Sequence, residues 1–227
     1  MRRPYPPRRR KRRRRRAFGG WSRILRLLGM ALLLSGLLLP FFPRKASPPT
    51  PVSPAPSLFL PEDLSPLRRA MVENAAALAG RVGYFWGGKS VRLGWDPRWG
   101  VPAVVTAGGS DTTGTLVPFG LDCSGLVTWA AVNAAGDAGA LSAIGNGARD
   151  QYSRCTPVAW EEAQPGDLAF FPDLSHVGIV LGPTEAGTLE IVHCSKTLGG
   201  VVRSPDGAGI GFALIGRPAF YQIYGAA

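Results

Sequence analysis

Apolar residues fall into three textures along the 227-residue chain. Residues 27–42 are an unbroken, uncharged, Leu-rich run of 16 positions, bounded by Arg23 and Arg26 on one side and by Pro43, Arg44 and Lys45 on the other. At about 1.5 Å per residue the run reaches roughly 24 Å, slightly short of a hydrocarbon core of about 30 Å, and Trp21 and Ile24 extend it. It predicts a transmembrane or signal helix over 24–42. Residues 67–80 (LRRAMVENAAALAG) place Leu67, Met71, Ala75 and Leu78 at three-to-four spacing and stop on Gly80, which predicts a helix. Residues 122–133 (DCSGLVTWAAVN) predict a second helix, with Asp122 as N-cap and Leu126, Trp129, Ala130 and Asn133 as its inner stripe. Beyond Gly166, short β-rich runs between Gly and Pro predict strands at 167–171, 176–181, 189–194, 211–215 and 220–224. Helices followed by consecutive antiparallel strands make an α+β domain.

Four zones result. Residues 1–23 hold the run Arg8 to Arg16, interrupted only by Lys11, which repels itself and predicts a disordered basic head. Next comes the 24–42 helix. A basic head before a Leu-rich stretch is also the grammar of a cleaved signal peptide, but no small-x-small site follows among Pro40, Pro43, Pro48 and Pro49, which favours an uncleaved anchor. The positive-inside rule then places the head in the cytoplasm and everything beyond residue 45 outside the cell membrane; if the segment is cleaved, the domain is secreted. Residues 43–66 carry 8 Pro in 24 positions and predict an extended spacer, and 67–227 suffice for one compact domain, expected as a monomer.

Charge sharpens this division. The net charge is +11, from 26 Lys and Arg against 15 Asp and Glu, yet 15 of the basic residues lie in 1–45, where no acid occurs. The remainder has 11 basic and 15 acidic residues. A mildly acidic body does not displace counterions from a polyanion, so no nucleic-acid partner is expected. The basic head acts in topology and on anionic lipid.

Three Cys exclude a disulfide-dense scaffold and leave at least one thiol without an intramolecular partner. Cys123 falls in the first turn of the second predicted helix, where unpaired N–H groups and the helix dipole favour a thiolate nucleophile. The chain's two His, His176 and His193, fall in neighbouring predicted strands. If those strands form a hairpin about the loop 182–188, the imidazoles lie opposite each other within about one residue of register. A thiol, a base and an orienting group complete a nucleophilic triad. Metal binding fits poorly: there is no Cys-x-x-Cys pair, and neighbours His193 and Cys194 point to opposite faces of a strand. No cofactor is expected. Cys155 and Cys194 are open to two readings, a disulfide in an exported domain or two buried thiols.

Five ordered segments carry a resemblance: Tyr84-Phe85-Trp86-Gly87-Gly88, Leu121-Asp122-Cys123-Ser124-Gly125-Leu126-Val127, Pro165-Gly166-Asp167-Leu168, Ser175-His176-Val177-Gly178-Ile179, and Ile191-Val192-His193. Together they resemble the NlpC-type family of papain-like cell-wall endopeptidases. The resemblance implies a papain-like core of N-terminal helices on an antiparallel sheet. It also implies cleavage of a peptidoglycan stem-peptide amide, commonly γ-D-glutamyl to diaminopimelate, with peptidoglycan stem peptides as partner. Carried over, Cys123 is nucleophile, His176 base and His193 orienter; Tyr84 lines the cleft near the oxyanion; Asp122 and Ser124 contact the stem peptide's free amine or backbone; and the Cys123 N–H is an oxyanion donor.

Blander roles stand beside these. Tyr84 and Trp86 also suit core aromatics, Asp122 an N-cap alone, and Pro165-Gly166-Asp167 a turn entering a strand. Residues 89–120 exceed a minimal loop and either wall the cleft or form a surface excursion. Two further functions share the fold: a silent cell-wall-binding module, and an amidase or acyltransferase with another substrate.

Overall fold

The structure is a computed structural model that describes residues 58–225. The basic head (1–23), the apolar 24–42 segment and most of the Pro-rich spacer lie outside the described residues. Among the described residues no helix is long and apolar enough to cross a membrane.

Helix α1 (Pro66–Ala77) starts where Ser65 caps it, its hydroxyl accepting from the Arg68 N–H, with Pro66 at the first turn. It buries Met71, Val72 and Ala75. A hairpin, β1 (Pro102–Val104) with β2 (Leu116–Pro118), lies inside the 89–120 segment. Helix α2 (Cys123–Ala135) is capped by Asp122 and closed by Gly136 at φ 66°. The predicted inner stripe of α2 is too narrow: every residue from Ser124 to Val132 is buried, so α2 is a central helix, packed on all sides. Short helices α3 (Leu141–Ile144) and α4 (Ala148–Ser153) lead into the sheet.

The sheet has six antiparallel strands: β3 (Cys155–Val158), β4 (Leu168–Phe170), β5 (Val177–Pro183), β6 (Leu189–Ser195), β7 (Gly200–Ser204) and β8 (Leu214–Pro218), in the order β3-β8-β4-β5-β6-β7. Alternation divides its side chains. Leu168, Phe170, Ile179, Val192 and Cys194 face α1 and α2, while Ala169, Val180, Ile191, Phe212 and Ile215 form a second core behind the sheet. The α+β expectation holds, helices on one face of an antiparallel sheet.

Two parts of the pattern differ from expectation. Residues 220–224, read as a strand, form helix α5 (Phe220–Tyr224); the rings of Phe220 and Tyr224, four apart, meet at 5.4 Å, and the Tyr221 hydroxyl donates 2.7 Å to the Gly166 carbonyl. The run predicted at 211–215 is strand only from Leu214. Strands β3 and β7 were not predicted, because each is short and lies beside Pro or Gly.

The Pro165-Gly166-Asp167 segment is a turn into β4 with a structural role. Asp167 is fully buried and accepts from Arg68 of α1 and Arg217 of β8, each at 2.9 Å. The pairing fastens the first helix to the sheet.

Candidate active site

Four of the five motif segments meet around the N-terminal end of α2, and the fifth, Pro165 to Leu168, is the turn that joins α1 to the sheet. Tyr84 forms a parallel bridge to Leu121, and the Asp122 N–H donates 3.1 Å to the Gly88 carbonyl. This packing is backbone on backbone. A Cβ on Gly125 would lie 2.1 Å from the Gly88 oxygen, so the helix can seat its first turn there only with glycine at 125.

Cys123 is the first residue of α2 and is half-buried. Burial pushes its thiol up, and the Asp122 charge adds to that; the Val177 N–H donated to the sulfur, the Lys89 charge and the Ser124 N–H pull the other way. Val177 is the residue after His176, so the contact fixes the nucleophile beside the predicted base.

The His176 Nε2 lies 2.8 Å from His193 Nδ1, and His193 Nε2 lies 3.0 Å from the Ser204 hydroxyl. His193 faces Gly178 across the β5–β6 ladder, one step from the predicted register, so the imidazoles meet diagonally. Phe212 packs against both rings and Phe171 against His176. Burial drives both imidazoles down to about 4; the Asp122 charge opposes this at His176, and the His176 charge reinforces it at His193. At neutral pH the resting site therefore holds a thiol and two neutral imidazoles.

The cleft has two arms that share Trp86, Cys123 and Ser175. The first, about 540 Å³, adds Tyr84, His176, His193, Phe171, Lys196 and Leu198. The second, about 400 Å³, adds Asp122, Ser124, Arg149 and Asp150. The structure thus gathers Cys123, His176, His193 and Tyr84 around one arm and sets Asp122 and Ser124 on the other side of the sulfur. Asp122 fulfils the capping role as well: its Oδ1 accepts from the Gly125 N–H at 2.7 Å and from the Ser124 hydroxyl at 3.0 Å. Burial, then the nearby Cys123 and Asp122 charges, raises the Tyr84 phenol, which stays a hydrogen-bond donor.

Of the two readings of the 89–120 segment, the contacts at the cleft favour a wall over a surface excursion. Trp86 Nε1 donates 2.9 Å to the Gly108 carbonyl and Lys196 pairs with Asp111, so residues 108–111 sit at the rim of the first arm. Its earlier part sets Trp95 edge-to-face against Trp99 and Trp99 edge-to-face against Trp129 of α2. Asn133, expected on the inner stripe, accepts from the Gly94 N–H at 2.6 Å and so holds this part down.

Sequence reasoning missed Ser204, because β7 went unpredicted, and Lys89, which follows the Gly87-Gly88 pair and donates to Asp122 and Ser124. All three cysteines are free: Cys194 donates to the Leu121 carbonyl at 3.0 Å and Cys155 to that of Gln151 at 3.2 Å, which decides the open pairing in favour of separate thiols. Among the described residues no three His, Cys, Asp or Glu side chains cluster to hold a metal ion.

The family model described as "NlpC/P60 family" matches residues 81–209, from the first motif segment past the last. The chain belongs to the NlpC/P60 family. Within it, the chain is 40% identical over 81 residues to the probable endopeptidase Rv2190c of Mycobacterium tuberculosis, a match covering 35% of this chain and 20% of that protein. It is also 40% identical over 74 residues to the probable endopeptidase p60 of Listeria grayi, covering 31% of this chain and 13% of that one. The matched stretch is thus about a fifth or less of the length of these NlpC/P60 relatives. Among solved structures, the peptidoglycan hydrolase RipB of Mycobacterium tuberculosis is 28% identical, covering 66% of this chain and 65% of that one at a TM-score of 0.46.

Proposed function

We propose that the chain is a thiol-dependent peptidoglycan endopeptidase that cleaves a stem-peptide amide, γ-D-glutamyl to diaminopimelate, in cell-wall remodelling. The observation that carries this reading is the hydrogen-bonded row His176, His193, Ser204, whose imidazoles share with Cys123 the lining of a cleft that has an arm on each side of the sulfur.

In this reading the peptide lies across both arms with its carbonyl carbon at Cys123. His176 takes the thiol proton as the sulfur attacks, because neither partner is charged beforehand. The Cys123 N–H and the Tyr84 hydroxyl donate to the developing oxyanion. His176 then gives the proton to the departing amine, leaving a thioester, and a water deprotonated by the same imidazole hydrolyses it. His193, held by Ser204, keeps the Nε2–H of His176 occupied so that its Nδ1 lone pair serves the thiol.

The activity belongs outside the cell, where stem peptides are found. The 24–42 segment would tether the domain to the membrane with the basic head inside, and the Pro-rich spacer would give it reach.

Incubation of the chain with purified muropeptides, followed by mass spectrometry, tests the reading. New amine termini with the wild type and none with Cys123→Ala are expected. No cleavage, or equal cleavage by both, overturns it.

A further inference from the structure

The two arms of the cleft take opposite sides of the scissile bond. His176 lines the first arm and not the second, so the amine that receives its proton departs into the first arm, and the residue carrying that amine occupies it. Strand β6 sets His193 and Ser195 on one face of this arm and hands the chain to Lys196 at the turn into β7. Much of the remaining wall is Tyr84, Trp86, Phe171, Leu198 and Ile210. Such a wall suits a run of methylenes.

Charge in this arm is confined to one place. Among the described residues that line it, Lys196 alone is charged at neutral pH, since the thiol and both imidazoles are neutral there and no Asp or Glu belongs to the lining. Its ammonium pairs with Asp111 and donates to the Ser110 hydroxyl at 3.4 Å. The side chains of the pair are 47% and 75% exposed, so water screens it, and a ligand carboxylate that shares the ammonium strands no buried charge. Three N–H donors let one ammonium serve both carboxylates.

The pair therefore discriminates among side-chain ends. A zwitterionic end on a methylene chain sets its carboxylate on Lys196 and its ammonium beside Asp111. An end that carries only an ammonium brings a like charge to Lys196 and finds an Asp111 that is already paired. If the pair were no more than a latch for residues 108–111, it would treat both ends alike.

We propose that Lys196 is a specificity residue for the departing side of the bond, binding the distal carboxylate of diaminopimelate and selecting the free acid over its carboxamide and over lysine. This rests on the peptidase reading and deepens it.

The test uses the full chain and the tetrapeptides L-Ala-γ-D-Glu-X-D-Ala, in which X is meso-diaminopimelate, its distal carboxamide or L-lysine. The α-carboxyl group of X is an amide in each, so only the side-chain end varies. Wild-type kcat/KM is expected to be about tenfold higher for the free acid than for the other two, the effect of one charge-assisted hydrogen bond. In Lys196→Met the ratio should fall to about one, and in Lys196→Glu the lysine peptide should become the better substrate. Calorimetry with Cys123→Ala should give the same order of affinities, which reads recognition apart from chemistry. Equal handling of the free acid and its carboxamide by the wild type, or a ratio unmoved by Lys196→Met, overturns the assignment and leaves the peptidase reading standing if muropeptides are cleaved. Preferential binding of the free acid by Cys123→Ala, with no cleavage of any peptide by the wild type, overturns the peptidase reading and not the recognition.

Discussion

His193 Nδ1 stands 2.8 Å from His176 Nε2, and the ladder around them shows how that contact is possible. His193 is paired with Gly178, two residues beyond His176, so its ring crosses over a position with no side chain. A Cβ at 178 would stand 2.5 Å from Ile191 Cγ2 and 3.1 Å from the His193 Cβ. Gly178→Ala is therefore expected to cost about 1–3 kcal/mol through overpacking and to push His193 off His176. Urea denaturation checks the first effect. A fall in kcat beyond that explained by unfolded protein checks the second; full activity in a destabilised variant would show that the imidazole contact is dispensable.

Ser204 decides which way the hydrogen bonds of the His row run. If its hydroxyl accepts from His193 Nε2–H, then His193 Nδ1 accepts from His176 Nε2–H, and the thiol faces a free lone pair on His176. Removing the hydroxyl leaves His193 Nε2–H buried without a partner, a cost of about 1–3 kcal/mol that the opposite tautomer relieves. Ser204→Ala is expected to lower kcat by about tenfold with KM unchanged, and Ser204→Thr to restore it. His193→Ala, which removes the orienting ring altogether, should lower kcat by about a hundredfold or more. Steady-state kinetics on muropeptides read both, and ¹⁵N shifts of the imidazoles read the tautomer directly.

The two imidazoles also make stability depend on pH. Each has an ordinary value of 6.5 and is driven by burial to about 4 in the folded chain. Unfolded protein therefore binds protons below about 6.5 that folded protein refuses until about 4. The contribution is fully present above about 6.5 and is lost as pH falls towards 4, by a few kcal/mol in all. The carboxylates of Asp96, Asp111, Asp150 and Asp173 are held below their usual range, so their loss comes at lower pH. Tm measured from pH 7 to 4.5 should decline in the wild type and stay flatter in His176→Gln/His193→Gln. The acid limb of kcat/KM should lie near 4, not near 6.5; a limb at 6.5 would mean that the imidazoles are solvated.

What the sequence made legible follows from how local each signal was. Cys123 at a helix start needed only Asp122 and the apolar period after it. The His pair needed only one hairpin, and its register was read one residue out because the turn pairs Pro183 with Leu189 and so centres on residue 186, not 185; the bulge between Val180 and Gly182 takes back one of the two steps this adds. Ser204 and Lys89 escaped for a different reason. Ser204 enters through β7, whose Gly-Val-Val-Arg-Ser run is too short to show a period, and Lys89 meets Asp122 across 33 residues of chain. Phe220 to Tyr224 has the aromatic and β-branched composition of a strand, but the Phe220 and Tyr224 rings are one helical turn apart, and the packing of Phe220 and Tyr221 under α1 overrode that composition.

The same distinction applies to Asp167. Its place in a motif suits either a turn or a working carboxylate, and the structure shows it fully buried between Arg68 and Arg217. Arg68 is itself buried, donates to the Pro165 carbonyl at 2.9 Å and stacks over the Tyr221 ring at 4.2 Å, whereas Arg217 is partly exposed. Asp167→Asn leaves two guanidinium groups without their counter-charge, one of them out of water, and should destabilise by about 3–5 kcal/mol. Arg217→Met removes only the more solvated partner and should cost less. Thermal unfolding orders the two variants, and below their transitions the rate at which a thiol probe labels Cys123 should match the wild type. A labelling rate that changed with Asp167→Asn in the folded state would place this carboxylate in the chemistry, not in the joint between α1 and the sheet.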